Sequence, residues 1–117
     1  MQATEAMKKT APAVDDDRVY ELQVRICKAF ANPSRLRMLD LLAKREHSVS
    51  ELQQALQITV PNVSQHLSIL RNAGIVKTRR EGKQIFCSLA MPEVKTACSL
   101  IREVLRAQVR NGRGLVI

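Results

Sequence analysis

Tryptophan is absent from this chain, and one tyrosine and two phenylalanines are its only aromatic rings. An interior without flat side chains must be packed by Leu, Val, Ile and Ala, which suits helices better than an all-β sandwich. No apolar run approaches the ~20 residues that a membrane span needs, and the first stretch, MQATEAMKKTAPAVDDD, has no apolar core of signal-peptide length. A cytoplasmic protein that does not enter a membrane is therefore expected. Three cysteines, an odd number, make no disulfide framework, and a reducing compartment keeps them as thiols. There is no Gly-rich phosphate loop, no metal-ligand pair at helical spacing, and no nucleophile with an evident base, so neither an enzyme nor a bound cofactor or metal is expected. Acid is in deficit as well. Eleven Asp+Glu against 19 Lys+Arg leave a net charge of +8, which points to a polyanionic partner.

At 117 residues the chain is one domain with one main core, and helices of such a size often bury their remaining apolar surface in a dimer. Residues 1–16 mix Ala, Thr, Lys and Pro with acids and show no periodicity, so a disordered arm is expected there, followed by a domain over 17–110 and a short tail over 111–117. Val19, Leu22, Ile26 and Phe30 mark one face of a first helix. Asn32 is placed to cap a second helix that begins at Pro33 and turns Leu36, Leu39, Leu42 and Ala43 inward. His47 falls in a short loop, where a solvated side chain is expected. Ser50 and Gln53 fit a capping box for a brief helix that ends near Gln57 and carries Leu52, Ala55 and Leu56 on one side.

A tight link then leads to TVPNVSQHLSILRNAGIV, with Thr59 as N-cap, Pro61 in the first turn, Val63, Leu67 and Leu70 as the buried ridge, and Gly74 as the stop. Two short helices so closely joined read as helix-turn-helix. IVKTRR and KQIFCSL flank Glu81 and Gly82 and predict a two-stranded hairpin with a basic tip. From Pro92, a last helix sets Val94, Ala97, Cys98, Ile101, Val104, Leu105 and Gln108 along one stripe, expected to pair with the first helix and with a second copy of the chain.

The fold class that follows is mainly α with a small β-hairpin wing, a winged helix-turn-helix that forms a homodimer through its first and last helices. In such a domain the second helix of the motif enters the major groove and the hairpin rides on the backbone alongside. Gln65 and Asn62 carry the paired donor and acceptor that read adenine, while Thr59 and Ser64 suit phosphate oxygens or single contacts and His66 has a donor for either. Between Arg71 and Lys83 five basic residues, Arg71, Lys77, Arg79, Arg80 and Lys83, stand against Glu81 alone. The rival reading is an architectural protein that coats DNA without choosing sequence; it needs the basic wing but not Asn62 and Gln65.

FANPSRLRMLDLL, SVSELQQALQITVPNVSQHLSILRNAGIV and RREGKQIFCSL closely resemble the ArsR/SmtB family of bacterial winged-helix repressors, over roughly residues 18 to 110. The resemblance implies a homodimer on an imperfect palindromic operator in double-stranded DNA, released when an inducer binds. It further implies that Thr59, Pro61, Asn62, Ser64, Gln65 and His66 face the major groove and that Arg79, Arg80, Lys83 and Gln84 form the wing.

Both metal sites familiar in that family are missing. Ser48, Val49 and Ser50 stand where metalloid sensors carry Cys-Val-Cys, and Met91, Glu93, Val104 and Ala107 stand where zinc sensors carry Asp, His, His and Glu. Cys27, Cys87 and Cys98 remain as candidate sensors of a thiol-reactive inducer or soft metalloid ion. Cys27 and Cys98 lie on the two helices assigned to the dimer interface, but buried Cys is also a common core residue, and a regulator with no metal or redox inducer stays open. The cysteine pattern of persulfide-sensing relatives is not matched, because Asp40 occupies the second-helix place.

Overall fold

The computed structural model describes residues 16–112. The arm expected over 1–16 and the tail expected over 111–117 lie outside them, save Asp16, Asn111 and Gly112. Five helices and three strands follow in the order α1 (Asp17–Phe30), α2 (Pro33–Lys44), β1 (His47–Ser48), α3 (Val49–Leu56), α4 (Val60–Asn72), β2 (Val76–Glu81), β3 (Gln84–Leu89) and α5 (Pro92–Arg110).

Local chemistry sets most of these boundaries. Asp16 caps α1 through its carboxylate, and Asn32 caps α2 by accepting from the Arg35 N–H at 3.1 Å, with Pro33 in the first turn where no donor is missed. α4 stops in a Schellman motif. Gly74 takes φ +76°, its N–H donates to the Arg71 carbonyl at 2.9 Å, and the Ile75 N–H donates to the Leu70 carbonyl at 2.9 Å.

The box that starts α3 lies two residues earlier than expected. Ser48 Oγ accepts from the Glu51 N–H at 3.1 Å and Glu51 Oε1 accepts from the Ser48 N–H at 2.8 Å, in place of Ser50 and Gln53. The spacing is the same, but a carboxylate is the stronger acceptor and is favoured at the positive end of a helix.

β2 and β3 form the wing, turning at Gly82 with φ +63°, and β1 adds a third antiparallel strand in the order β1-β3-β2, with His47 opposite Cys87. His47 is thus buried, its Nδ1 donating to the Arg45 carbonyl at 2.9 Å, where a solvated loop residue was expected. A two-residue strand is too short to show a period, so the sequence carries no signal for it.

Met38, Leu39 and Leu42 of α2, Leu52 and Leu56 of α3, and Val63, Leu67 and Leu70 of α4 meet in one core, closed by Ile75, Val76, Cys87 and Val94. Ala55, expected inside, is exposed, and Leu36 is half out of the core at 37% exposure. The outer helices contribute least to this core. α1 buries Ala29 alone and α5 buries Val94 alone, while Leu22, Ile26, Ile101, Val104 and Leu105 remain exposed in the single chain. The helical period locates an apolar face but not which copy of the chain covers it.

Candidate nucleic-acid interface

The link between α3 and α4 is three residues long. Gln57 turns it by adopting the left-handed conformation (φ 60°, ψ 42°), and Thr59 Oγ1 accepts from the Asn62 N–H at 3.3 Å to start α4. Because that hydroxyl accepts here, its own proton stays available to an outside acceptor. Val63, Leu67 and Leu70 anchor one side of α4 in the core, so helical geometry turns Pro61 and Gln65, both exposed, to the opposite side.

The two flanks of α4 meet different neighbours. Toward the wing lie Ser64 and Arg71, the latter donating from Nη1 to Thr78 Oγ1 at 3.5 Å. Toward α1 and α2 lie Asn62 and His66. Arg35 joins three elements there: Nε donates to the Ala29 carbonyl at 2.7 Å, Nη2 to the Lys28 carbonyl at 3.1 Å, and Nη1 to His66 Nδ1 at 3.2 Å. Both carbonyls lie in the last turn of α1, where helix acceptors lack intrahelical partners, and that of Lys28 also accepts from the Ala31 N–H at 3.1 Å. One side chain therefore ties the end of α1 to the middle of α4.

On the wing, strand alternation sends Arg79 and Arg80 to opposite faces. Arg79 donates from Nη2 and Nε to both oxygens of Glu46, at 2.7 and 3.1 Å, pairs with Glu81, and lies over the Phe86 ring at 4.7 Å from its centre. These bonds hold the Glu46 carboxyl below its ordinary range. Lys77, Arg80, Lys83 and Gln84 are exposed, and among the described residues none of the three cations has an ion-pair partner.

A capped helix that exposes Gln65, Asn62 and Ser64 beside a cationic hairpin is the arrangement that winged helix-turn-helix domains present to duplex DNA. Residues 32–78 match the family model for bacterial regulatory proteins of the arsR type. The HTH-type transcriptional regulator Rv0081 of Mycobacterium tuberculosis is 35% identical over 105 residues, covering 89% of this chain and 91% of the relative. The chain belongs to the ArsR family.

Its structure agrees with that of Rv0081 at a TM-score of 0.77 and 33% identity, over 85% of this chain and 100% of the other. The homodimeric winged helix-turn-helix DNA-binding domain Mb0332 of Mycobacterium bovis aligns at a TM-score of 0.76 and 29% identity, over 89% and 99% of the two chains. The biofilm growth-associated repressor of Agrobacterium fabrum is 52% identical over 79 residues, 68% of this chain and 66% of the relative. This ArsR-family chain is a DNA-binding transcriptional regulator with a winged helix-turn-helix fold.

The three thiols of this ArsR-family chain are free and differ in environment. Cys87 is sealed beneath the wing, and burial pushes its thiol up to about 11, which keeps it protonated and inert at neutral pH. Cys98 is half-buried, its thiol raised first by burial and then by the Asp40 carboxylate. Cys27 is exposed. Among the described residues no three His, Cys, Asp or Glu side chains gather as a metal site, and no helix is long and apolar enough to cross a membrane.

Sequence reasoning missed Glu46, which anchors Arg79, and Arg35, which holds His66. Their partners stand 33 and 31 residues away, so no local spacing announces either pairing.

His66 yields a pH prediction. Burial, and then Arg35, lower its pKa from 6.5, and a protonated ring has no lone pair left for the Arg35 N–H. Protonation is thus harder in the folded chain than in the unfolded one. The resulting stability is complete above about pH 6.5 and is lost as pH falls through the depressed value. Thermal melts of His66→Gln between pH 7 and 5 should show a shallower decline than wild type, and parallel curves would show that His66 does not titrate against Arg35.

Proposed function

We propose that the protein is a homodimeric repressor that acts in the cytoplasm without catalysis, reading an inverted-repeat operator with two copies of α4. The observation that carries this reading is the exposure of Gln65 directly opposite the Val63, Leu67 and Leu70 ridge, with Asn62 and Ser64 beside it. A side chain anchored so that its amide points straight out of the domain can reach N6 and N7 of adenine in the groove.

Thr59 and Ser64 meet phosphate oxygens, Pro61 packs along the groove, and Asn62 joins Gln65 at the base edges. His66, with Nδ1 occupied, keeps only its Nε2 donor for a phosphate or base edge. Arg71, Arg80, Lys83 and Gln84 follow the backbone, while Arg79 chiefly stiffens the wing against Glu46. Repression and dimerisation draw support from the Agrobacterium repressor and from the homodimeric Mb0332 domain, and the two half-sites then lie about one helical turn apart. Cys27 is the thiol open to a thiol-reactive inducer or soft metalloid, with Cys98 less accessible and Cys87 shut away.

The test compares Gln65→Ala with wild type on operator DNA, selected from random duplexes, and on unselected DNA. The variant should lose about 1–3 kcal/mol on the selected site and relax base choice at one position per half-site. Equal weakening on both kinds of DNA would favour an architectural protein that does not choose sequence.

A further inference from the structure

A helix about 10–12 Å across nearly fills a major groove about 12 Å wide, so a phosphate strand must run along each of its flanks. The wing and Arg71 serve one flank of α4. The other flank borders an open groove of about 620 Å³ between the last turns of α1 and α4, lined by Arg25, Lys28, Ala29, Ile69, Asn72 and Ala73.

Arg25 and Lys28 are three residues apart and share one side of α1. Both are exposed, and among the described residues neither has a carboxylate partner. Arg18, Arg45, Arg79, Arg102, Arg106 and Arg110, by contrast, are each engaged by an acid. Glu21 lies one turn back on the same side of α1 and does not line the groove. Asn72 adds an amide donor at the end of α4, and Arg35 of α2, bonded both to the carbonyls of Lys28 and Ala29 and to His66, links the α1 terminus to α4.

We infer that Arg25, Lys28 and Asn72 form a second phosphate clamp, which grips the DNA strand on the side of the recognition helix away from the wing. The inference rests on the placement of α4 in the major groove. With it, each subunit straddles the groove and holds both strands. Without it, the helix would be tethered on one side and free to roll.

The test uses the full-length Arg25→Gln/Lys28→Gln variant and a random-sequence duplex of about 30 base pairs, with affinity measured against salt concentration. Each lost phosphate contact removes about 0.9 from the slope of log affinity on log salt, so the double variant, which loses two contacts in each subunit of the homodimer, should flatten it by roughly three to four. The charge-preserving Arg25→Lys/Lys28→Arg variant should keep the wild-type slope. Single methylphosphonate substitutions should locate the lost contacts on the strand opposite those lost by Arg80→Gln.

An unchanged slope in the double glutamine variant, beside a reduced slope in Arg80→Gln, overturns the clamp and leaves the DNA-binding reading intact. Loss of slope in the charge-preserving variant, or contacts on the same strand as Arg80, also overturns it. Salt-independent binding in wild type and every variant would remove the groove placement itself.

Discussion

Ile101→Glu combined with Val104→Glu should yield a folded monomer whose operator affinity is at least about a hundredfold below wild type, since linked half-sites commonly gain 10²–10⁴ over one alone. Nine of the fourteen exposed large apolar side chains among the described residues belong to α1 and α5, with Ile101 at 55% and Val104 at 59% exposure. Water disfavours an apolar face of that extent, whereas a second copy of the same face removes it.

Two carboxylates per subunit would have to be desolvated to form that contact, at a cost of several kcal/mol per ion. Neither side chain belongs to the core cluster, although both line a groove with Leu36 and Asp40 of α2, so the single domain should keep its helical circular dichroism. Sedimentation equilibrium at micromolar protein checks the association state, and a dimer surviving in the variant would place the interface elsewhere.

Leu52→Ala should destabilise the fold by about 2–5 kcal/mol, read as a lower urea midpoint at unchanged m-value. Leu52 has no exposed surface and sits on α3 in the same cluster as the Val63 and Leu67 ridge. Truncation removes apolar contacts and leaves a cavity beneath α4, in a domain whose whole stability is of order 5–15 kcal/mol. Ala55→Ser, on the exposed side of the same helix, should change stability by less than about 0.5 kcal/mol. A loss under about 1 kcal/mol for Leu52→Ala would mean that α3 does not brace the recognition helix.

The two substitutions separate two kinds of apolar surface that the sequence shows alike. Leu52 and Ile101 both belong to stripes of helical period, and periodicity gives them equal standing. In the single chain one is sealed and the other open, because α3 is short and wedged between α2 and α4 whereas α5, 19 residues long in all, packs mainly on α2 and β3 and buries Val94 alone. Stripe length and amphipathicity predicted a face, and tertiary packing divided it between core and partner.

The wing shows the same division. Five basic residues between Arg71 and Lys83 are visible in the chain, and their charge gives no sign that Arg79 differs from Arg80. Glu46, remote in sequence, makes the difference by accepting with both oxygens from the Nε and Nη2 edge of the Arg79 guanidinium. His66 likewise reads as one more polar residue of the recognition helix until Arg35 is found against it.

Residue order alone determined the helix starts and stops except the start of α3, together with the Thr59 cap, the Gly74 exit, the hairpin turn and the exposed setting of Gln65. All of these follow from φ, ψ preferences, hydrogen bonds and apolar spacing within a few residues. Tertiary structure alone decided that Arg79 is pinned, that His66 is bonded to Arg35, that His47 is buried, and that α1 and α5 keep their apolar faces uncovered. Each of those depends on groups brought together from distant parts of the chain, and short-range pattern carries no information about which distant groups will meet.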